Sequence, residues 1–175
     1  GRLVDKNGAP QLYSIDIGSG KQTPVAVFPG LNTAGDFSGD GKLISITLSK
    51  DNDPEIYLLN PKGRVQRRLT YSRGIDTSAN FSPNSREVVF TSDRAGLPQF
   101  YIMDVEGTNL RRLTFTDNYS DSPAWSPIGN IIAFSSREGN AFNIYTISVT
   151  GEYIAKLTES AGSNKNPAWS PDGKR

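Results

Sequence analysis

A strict 44-residue repeat, short β-branched and aromatic runs between turn residues, and no sustained 3.6-residue apolar stripe together predict an all-β chain. Its architecture is expected to be a β-propeller of four-stranded antiparallel blades. The chain has 175 residues, enough for one domain with a real core. The repeat shows at several independent phases. Phe37, Phe81, Trp125 and Trp169 stand 44 apart, as do Tyr13, Tyr57, Tyr101 and Tyr145. The same step joins Leu69, Leu113 and Leu157, the threonines Thr70, Thr114 and Thr158 after them, and Gly63, Gly107 and Gly151. A period of about 40–45 residues fits a propeller blade or a helical solenoid. The local pattern decides for strands.

In the third complete unit, strands are expected at residues 123–126, 131–136, 143–148 and 153–158. The connecting strings "SPIGN", "REGNA" and "VTGE" carry turn chemistry rather than helix caps. Second strands such as "EVVF" and "IIAF" are apolar without alternation, which suits burial on both faces between neighbouring blades. The tyrosine on each third strand recurs in every unit, so we assign it to packing, with its hydroxyl reaching a partner at the blade edge.

At the start, residues 1–4 fall at the second-strand phase, with further strands expected at 11–16 and 23–27. At the end, Trp169 opens a unit that supplies only a first strand. About four blades are therefore expected, three complete and one split between the termini. The approximate units are 1–35, 36–79, 80–123, 124–167 and 168–175. Two arrangements are open at this point. Residues 166–170 could pair with residues 2–4 and close a four-bladed ring, or the chain is part of a larger ring. The second is favoured, because four blades is the low end of the propeller range and Leu3-Val4 is a short stub.

Composition narrows the function classes. Lys+Arg number 19 and Asp+Glu 18, a net charge of +1, which gives no support to nucleic-acid binding. The basic string Arg64-Val65-Gln66-Arg67-Arg68, echoed at Arg111-Arg112, is expected to be a solvated strand edge. There is no Cys and no His, so disulfides, thiol chemistry and imidazole bases are excluded. No run approaches the roughly 18 apolar residues that a membrane helix requires.

Catalytic candidates are few. Asp16 and Asp104 correspond to Asn60 and Ser148 in other units, as expected of turn caps. Ser126 and Ser170 of "WSP" recur as Ser82 and Ser38, lack a glycine elbow, and read as turn residues. Asp51, Asp53 and Glu55, or Asp117 and Asp121, offer oxygen ligands that would suit Ca²⁺. Neither string matches an EF-hand loop, so solvated turns are expected and no cofactor is assigned. Phosphate-cradling motifs are absent. The sequons at Asn80 and Asn118 are read as incidental.

Binding has better support. The loops joining the last strand of one blade to the first of the next gather on one face around the channel mouth. They span residues 29–36, 71–79, 115–123 and 159–167, and here the units diverge: "GLNTAG", "SRGIDTS", "TDNYSDS", "SAGSNKN". Variable polar loops on a rigid ring form a usual binding arrangement.

The unit "PAWSPDGK…IAFSS…G…IYTISVTG…LT" is similar to the WD40-like repeat of TolB-type propellers, most closely at "FTSDRAGLPQFYIMD" and "FPGLNTAGDF". Propellers attached to prolyl-oligopeptidase-like hydrolases or carbohydrate-active lyases share the generic repeat, and a self-contained four-bladed scaffold is a third reading. The combination of "FTSDRAG-PQ-Y" with "RRLT" leans to the TolB family. That resemblance implies a non-enzymatic periplasmic protein of the Tol–Pal envelope system, with an N-terminal α/β domain and a six-bladed propeller. It also implies that the propeller binds the peptidoglycan-associated lipoprotein Pal, that the N-terminal domain contacts TolA, and that bacteriocins exploit the same propeller face. The N-terminal domain and about two blades are absent from this chain. Carried over by phase, the partner-contacting positions are Leu31 and Ala34, Thr77 and Ser78, and Asp121 and Ser122. Family members can present a His at the first phase and a Thr-Glu pair at the second. Leu31 and Thr77-Ser78 depart from that pattern.

Overall fold

The computed structural model describes residues 2–4, 8–159 and 162–175, the first group by backbone alone. Parts of the expected first strand and fourth loop lie outside the described residues. The strands β1 (Arg2–Val4), β2 (Pro10–Ile15) and β3 (Gln22–Ala26) form the first sheet. The second holds β4 (Asn32–Phe37), β5 (Ile44–Leu48), β6 (Glu55–Leu59) and β7 (Val65–Arg68). The third holds β8 (Asp76–Phe81), β9 (Glu87–Ser92), β10 (Gln99–Asp104) and β11 (Arg111–Arg112). The fourth holds β12 (Ser120–Trp125), β13 (Ile131–Glu138), β14 (Ala141–Ser148) and β15 (Ile154–Lys156). Every sheet is an antiparallel meander in chain order, and no helix occurs among the described residues.

The repeated residues build the same turn in each blade. Ser38, Ser82 and Ser170 each accept a backbone amide five residues on, from Leu43, Glu87 and Arg175, at 2.9 Å in each case. These serines close the turn after the inner strand. Asp16, Asn60, Asp104 and Ser148 cap the next turn type: Asn60 Oδ1 accepts from the amides of Lys62 and Arg64, and Ser148 Oγ from Glu152 and Tyr153. Just past the outermost strands, Thr70, Thr114 and Thr158 accept the amides of Ile56, Phe100 and Ile144, all at 2.9 Å. Gly63 must be glycine: its φ is +78°, and a Cβ there would run into the Val25 carbonyl of the preceding blade.

The core lies in the seams between sheets. Val25, Ile44, Ile46, Leu48, Tyr57 and Leu59 fill the first seam. Ile56, Leu58, Phe81, Val88, Phe90 and Tyr101 fill the second. Val89, Phe100, Ile102, Trp125, Ile132 and Phe134 fill the third. All five residues of β5 and of β6 are buried, so the lack of alternation in the middle strands reflects packing on both faces. Each such side chain contributes roughly 1.5–3 kcal/mol through apolar burial.

Two expectations need correction, and the less favoured of the two arrangements for the chain ends is excluded. Inner strands begin earlier than residue 123 and its equivalents, at Asn32, Asp76 and Ser120, because a bulge inside each strand lets pairing resume beyond it. About half of each of the first three expected loops is therefore strand. The string at residues 64–68 is not wholly a solvated edge. Val65, Gln66 and Arg67 are exposed, but Arg68 turns inward and its Nη2 donates to the buried Glu55 at 3.1 Å. Closure as a four-bladed ring through residues 166–170 does not occur. The Asn166 amide donates to Ser135 Oγ and Trp169 Nε1 to the Ala124 carbonyl, so this segment lies along the fourth sheet. Among the described residues, β1 pairs with β2 alone.

Candidate functional site

Antiparallel alternation places the blade-to-blade connections on the same end of the sheets as the turns between second and third strands. That end carries a repeated aromatic feature. Tyr71 and Phe115, one repeat apart, are each 74% exposed, and Ile75 and Tyr119 stand exposed beside them. The Arg68 guanidinium lies 4.5 Å from the Tyr71 ring centroid, and that of Arg112 lies 4.8 Å from Phe115. Their Nε atoms donate to the carbonyls of Thr70 and Thr114, at 2.8 and 2.7 Å. Each arginine therefore braces an apolar ring that stays open to solvent.

Toward the axis, the inner strands share an unusual backbone. Ala34, Ser78, Ser122 and Asn166 have φ of 56°, 56°, 57° and 57°, one left-handed residue per repeat. In the second, third and fourth sheets these residues sit inside the bulges. Small or polar side chains tolerate this conformation where β-branched ones do not. The bulge turns the following residues toward the axis. They line a concavity of about 510 Å³ that includes Ala34, Ser78, Asn80, Ser122, Trp125 and Trp169.

Side chains then link one inner strand to the next. Asp36 Oδ2 accepts from Asn80 Nδ2 at 2.8 Å and from the Phe81 amide at 3.0 Å. Asn80 Oδ1 accepts from the Trp125 amide at 2.6 Å. Ser122 Oγ donates to Asn166 Oδ1 at 2.9 Å, again one repeat away. Burial pushes the Asp36 carboxyl above its ordinary range, and the Phe81 amide opposes that shift. The channel wall is thus held by hydrogen bonds between successive blades.

The six residues expected to bind a partner divide into two groups. Ala34, Ser78 and Ser122 line the concavity together. Leu31, Thr77 and Asp121 are not among its lining residues. Leu31 is pinned through its amide, which donates to Ser49 Oγ at 2.8 Å. Thr77 Oγ1 accepts from the Thr47 hydroxyl, and Asp121 Oδ1 from the Thr91 hydroxyl, both at 3.2 Å. Sequence reasoning missed Tyr71, Ile75, Phe115 and Tyr119. Their signal was available, since Tyr71 and Phe115 directly follow the repeated Leu-Thr pair.

The acidic strings do not converge on a cation site. Asp51 Oδ2 accepts from the Tyr57 hydroxyl at 2.6 Å and pairs with Lys50, contacts that hold its carboxyl below the usual range. Glu55 is buried instead, its Oε1 accepting from Arg68 at 3.1 Å. Among the described residues, no three His, Cys, Asp or Glu side chains gather as a metal site would require. No helix among them is long and apolar enough to cross a membrane.

Comparison with known proteins follows the same lines. The family model described as the TolB beta propeller domain matches residues 4–175. TolB from Acinetobacter baumannii superposes with a TM-score of 0.85 at 32% identity, covering 99% of this chain and 44% of that one. A putative TolB from Agrobacterium tumefaciens gives a TM-score of 0.88 at 23% identity, covering 98% of this chain and 66% of that one. The tricorn protease shares the fold over 80% of this chain, at 18% identity and a TM-score of 0.55. No functionally curated protein matches. The chain spans less than half the length of the Acinetobacter TolB. With the family model covering nearly every residue and the repeat geometry matching, this chain belongs to the TolB β-propeller family.

Proposed function

We propose that this propeller is a non-enzymatic scaffold of the Gram-negative periplasm that binds a Pal-type peptidoglycan-associated lipoprotein through its loop face. The observation that carries the reading is the exposed group Tyr71, Ile75, Phe115 and Tyr119, on two blade-to-blade loops whose sequences differ between otherwise matching blades. Aromatic rings braced by arginine supply large contact area at little conformational cost, which is how protein-binding surfaces concentrate affinity. Family membership supports the partner class. A chain with neither His nor Cys lacks the common nucleophile–base pairs, which favours binding over catalysis. Contact with TolA belongs, on this reading, to an N-terminal domain beyond this chain, and a bacteriocin would compete for the same face.

Titration of the purified chain with the periplasmic domain of a Pal-type lipoprotein tests this directly. Binding is expected at micromolar strength or better. Leu31→Asp and Thr77→Arg should each weaken it by at least about tenfold, equivalent to about 1.4 kcal/mol. Leu31 and Thr77 are both half-buried, Leu31 held through its amide and Thr77 through a hydroxyl contact with the buried Thr47, so each variant is first checked for native melting. A well-folded chain that binds nothing would overturn the reading.

A further inference from the structure

Beneath the second of these loops, the seam between the second and third sheets buries two carboxylates together. Glu55 and Asp76 are both 0% exposed. The Asp76 amide donates to the Pro54 carbonyl at 2.9 Å, which brings the start of β8 against the start of β6. One oxygen of each carboxyl is satisfied by a guanidinium: Glu55 Oε1 by Arg68 at 3.1 Å and Asp76 Oδ2 by Arg94 at 2.9 Å. The other oxygens, Glu55 Oε2 and Asp76 Oδ1, are buried without a hydrogen-bond partner. The Asp76–Pro54 bond sets the two residues beside each other in the seam, and Asp76 is among the influences that raise the Glu55 carboxyl.

We propose that Glu55 and Asp76 share one proton across this seam, making the loop above it a proton-sensitive part of the binding face. A single O–H between Oε2 and Oδ1 satisfies both orphaned atoms at once. Two ionised carboxylates in contact repel, and leaving both oxygens dry and unbonded costs further free energy. A metal ion fits poorly, because Arg68 and Arg94 already place two positive charges on the pair. The other blades support the assignment. One repeat on, the equivalent residues are the neutral Gln99 and Ser120; one repeat back they are Gln11 and Asn32. The Gln99 amide donates to the carbonyls of Pro98 and Asn118, doing with N–H groups what a protonated Glu55 does with O–H.

The loop is tied to this pair. Ser72 Oγ is hydrogen-bonded to Asp76 Oδ2 at 3.0 Å and accepts the Gly74 amide at 3.2 Å. The surrounding charged and titratable groups are Arg68 from β7, Arg94 from the β9–β10 turn, and Lys50 and Asp51 from the β5–β6 turn. Tyr57 on β6 faces Arg68, Tyr101 on β10 underlies Arg94, and Asp93 accepts the Ile75 amide at 2.7 Å. Of these only Asp51 draws on Arg68, at 4.0 Å, so each carboxylate keeps its own arginine.

Burial, and then contact with Asp76, push the Glu55 carboxyl above its ordinary range. A proton bound more tightly in the folded chain stabilises it most below the unfolded value, about 4.3 for glutamate, and the benefit is lost as pH rises through the raised folded value. The consequence for partner binding rests on the function proposed above; the shared proton does not.

Carboxyl ¹³C NMR titration of the chain alone decides the matter. One carboxyl of the Glu55–Asp76 pair should titrate above the ordinary range, and that transition should vanish in Glu55→Gln. As pH rises above the unfolded glutamate value of about 4.3, the wild type should lose thermal stability relative to Glu55→Gln, whose amide donates at any pH. Two carboxyls that titrate in the ordinary range would overturn the proposal, whether or not the variant folds. So would movement of both signals on adding calcium at neutral pH, which would mark a cation site instead.

Discussion

Phe100→Ala is expected to lower the unfolding free energy by about 3–5 kcal/mol, the range for removing a fully buried aromatic side chain. Phe100 is 0% exposed and meets the edge of Phe134 across the third seam, with ring centroids 5.0 Å apart. Its amide and carbonyl are both engaged, by Thr114 Oγ1 and the Leu113 amide, so the backbone is poorly placed to collapse into the space left. The loss therefore combines transfer of the ring with an unfilled cavity between two blades. Urea denaturation should show a lower midpoint with an unchanged slope. A shift below about 1 kcal/mol would mean that the seams do not carry the stability assigned to them.

Arg94→Met should cost a comparable amount, about 3–5 kcal/mol, as expected when one partner of a buried ion pair is removed. Arg94 Nη2 meets Asp76, and the guanidinium lies 4.8 Å from the Tyr101 centroid and 5.4 Å from Phe90. Methionine restores much of the apolar stem but leaves Asp76 buried without its counter-charge. Calorimetric melting at neutral pH reads this loss. A variant that melts like the wild type at neutral pH would contradict the role assigned to the pair.

Much of the fold was legible because its repeat is made of residues that do the same local job in every blade. The "SP" serines close turns, the threonine after each repeated leucine takes an amide, and the in-phase glycines Gly63, Gly107 and Gly151 all adopt positive φ, with the Val25 carbonyl leaving no room for a Cβ at Gly63. The binding face was legible only in part. Divergence located the loops but did not separate Ala34, Ser78 and Ser122, which face the concavity, from Leu31, Thr77 and Asp121, which do not line it. That division depends on the left-handed bulge residue, which shifts the facing of every side chain after it, and an alternation count carries no bulge.

Glu55 shows the same limit for electrostatics. In the sequence it belongs with Asp51 and Asp53, a short acidic string. In the fold β6 begins at Glu55, which turns its carboxyl into the seam while Asp51 and Asp53 stay in the exposed turn. Its companion, Asp76, is 21 residues away and arrives through packing of blade on blade.

On the proposed function, a partner docks on the end of the propeller bearing the loops before β4, β8 and β12. Amide hydrogen exchange of the chain, free and saturated with the periplasmic domain of a Pal-type lipoprotein, tests it most directly. Slowed exchange is expected at residues 71–78 and 115–122, with no change in the turns at residues 39–42 and 83–86 on the opposite end. Protection confined to those opposite turns, or a saturated complex with no protection in the loops, would contradict it.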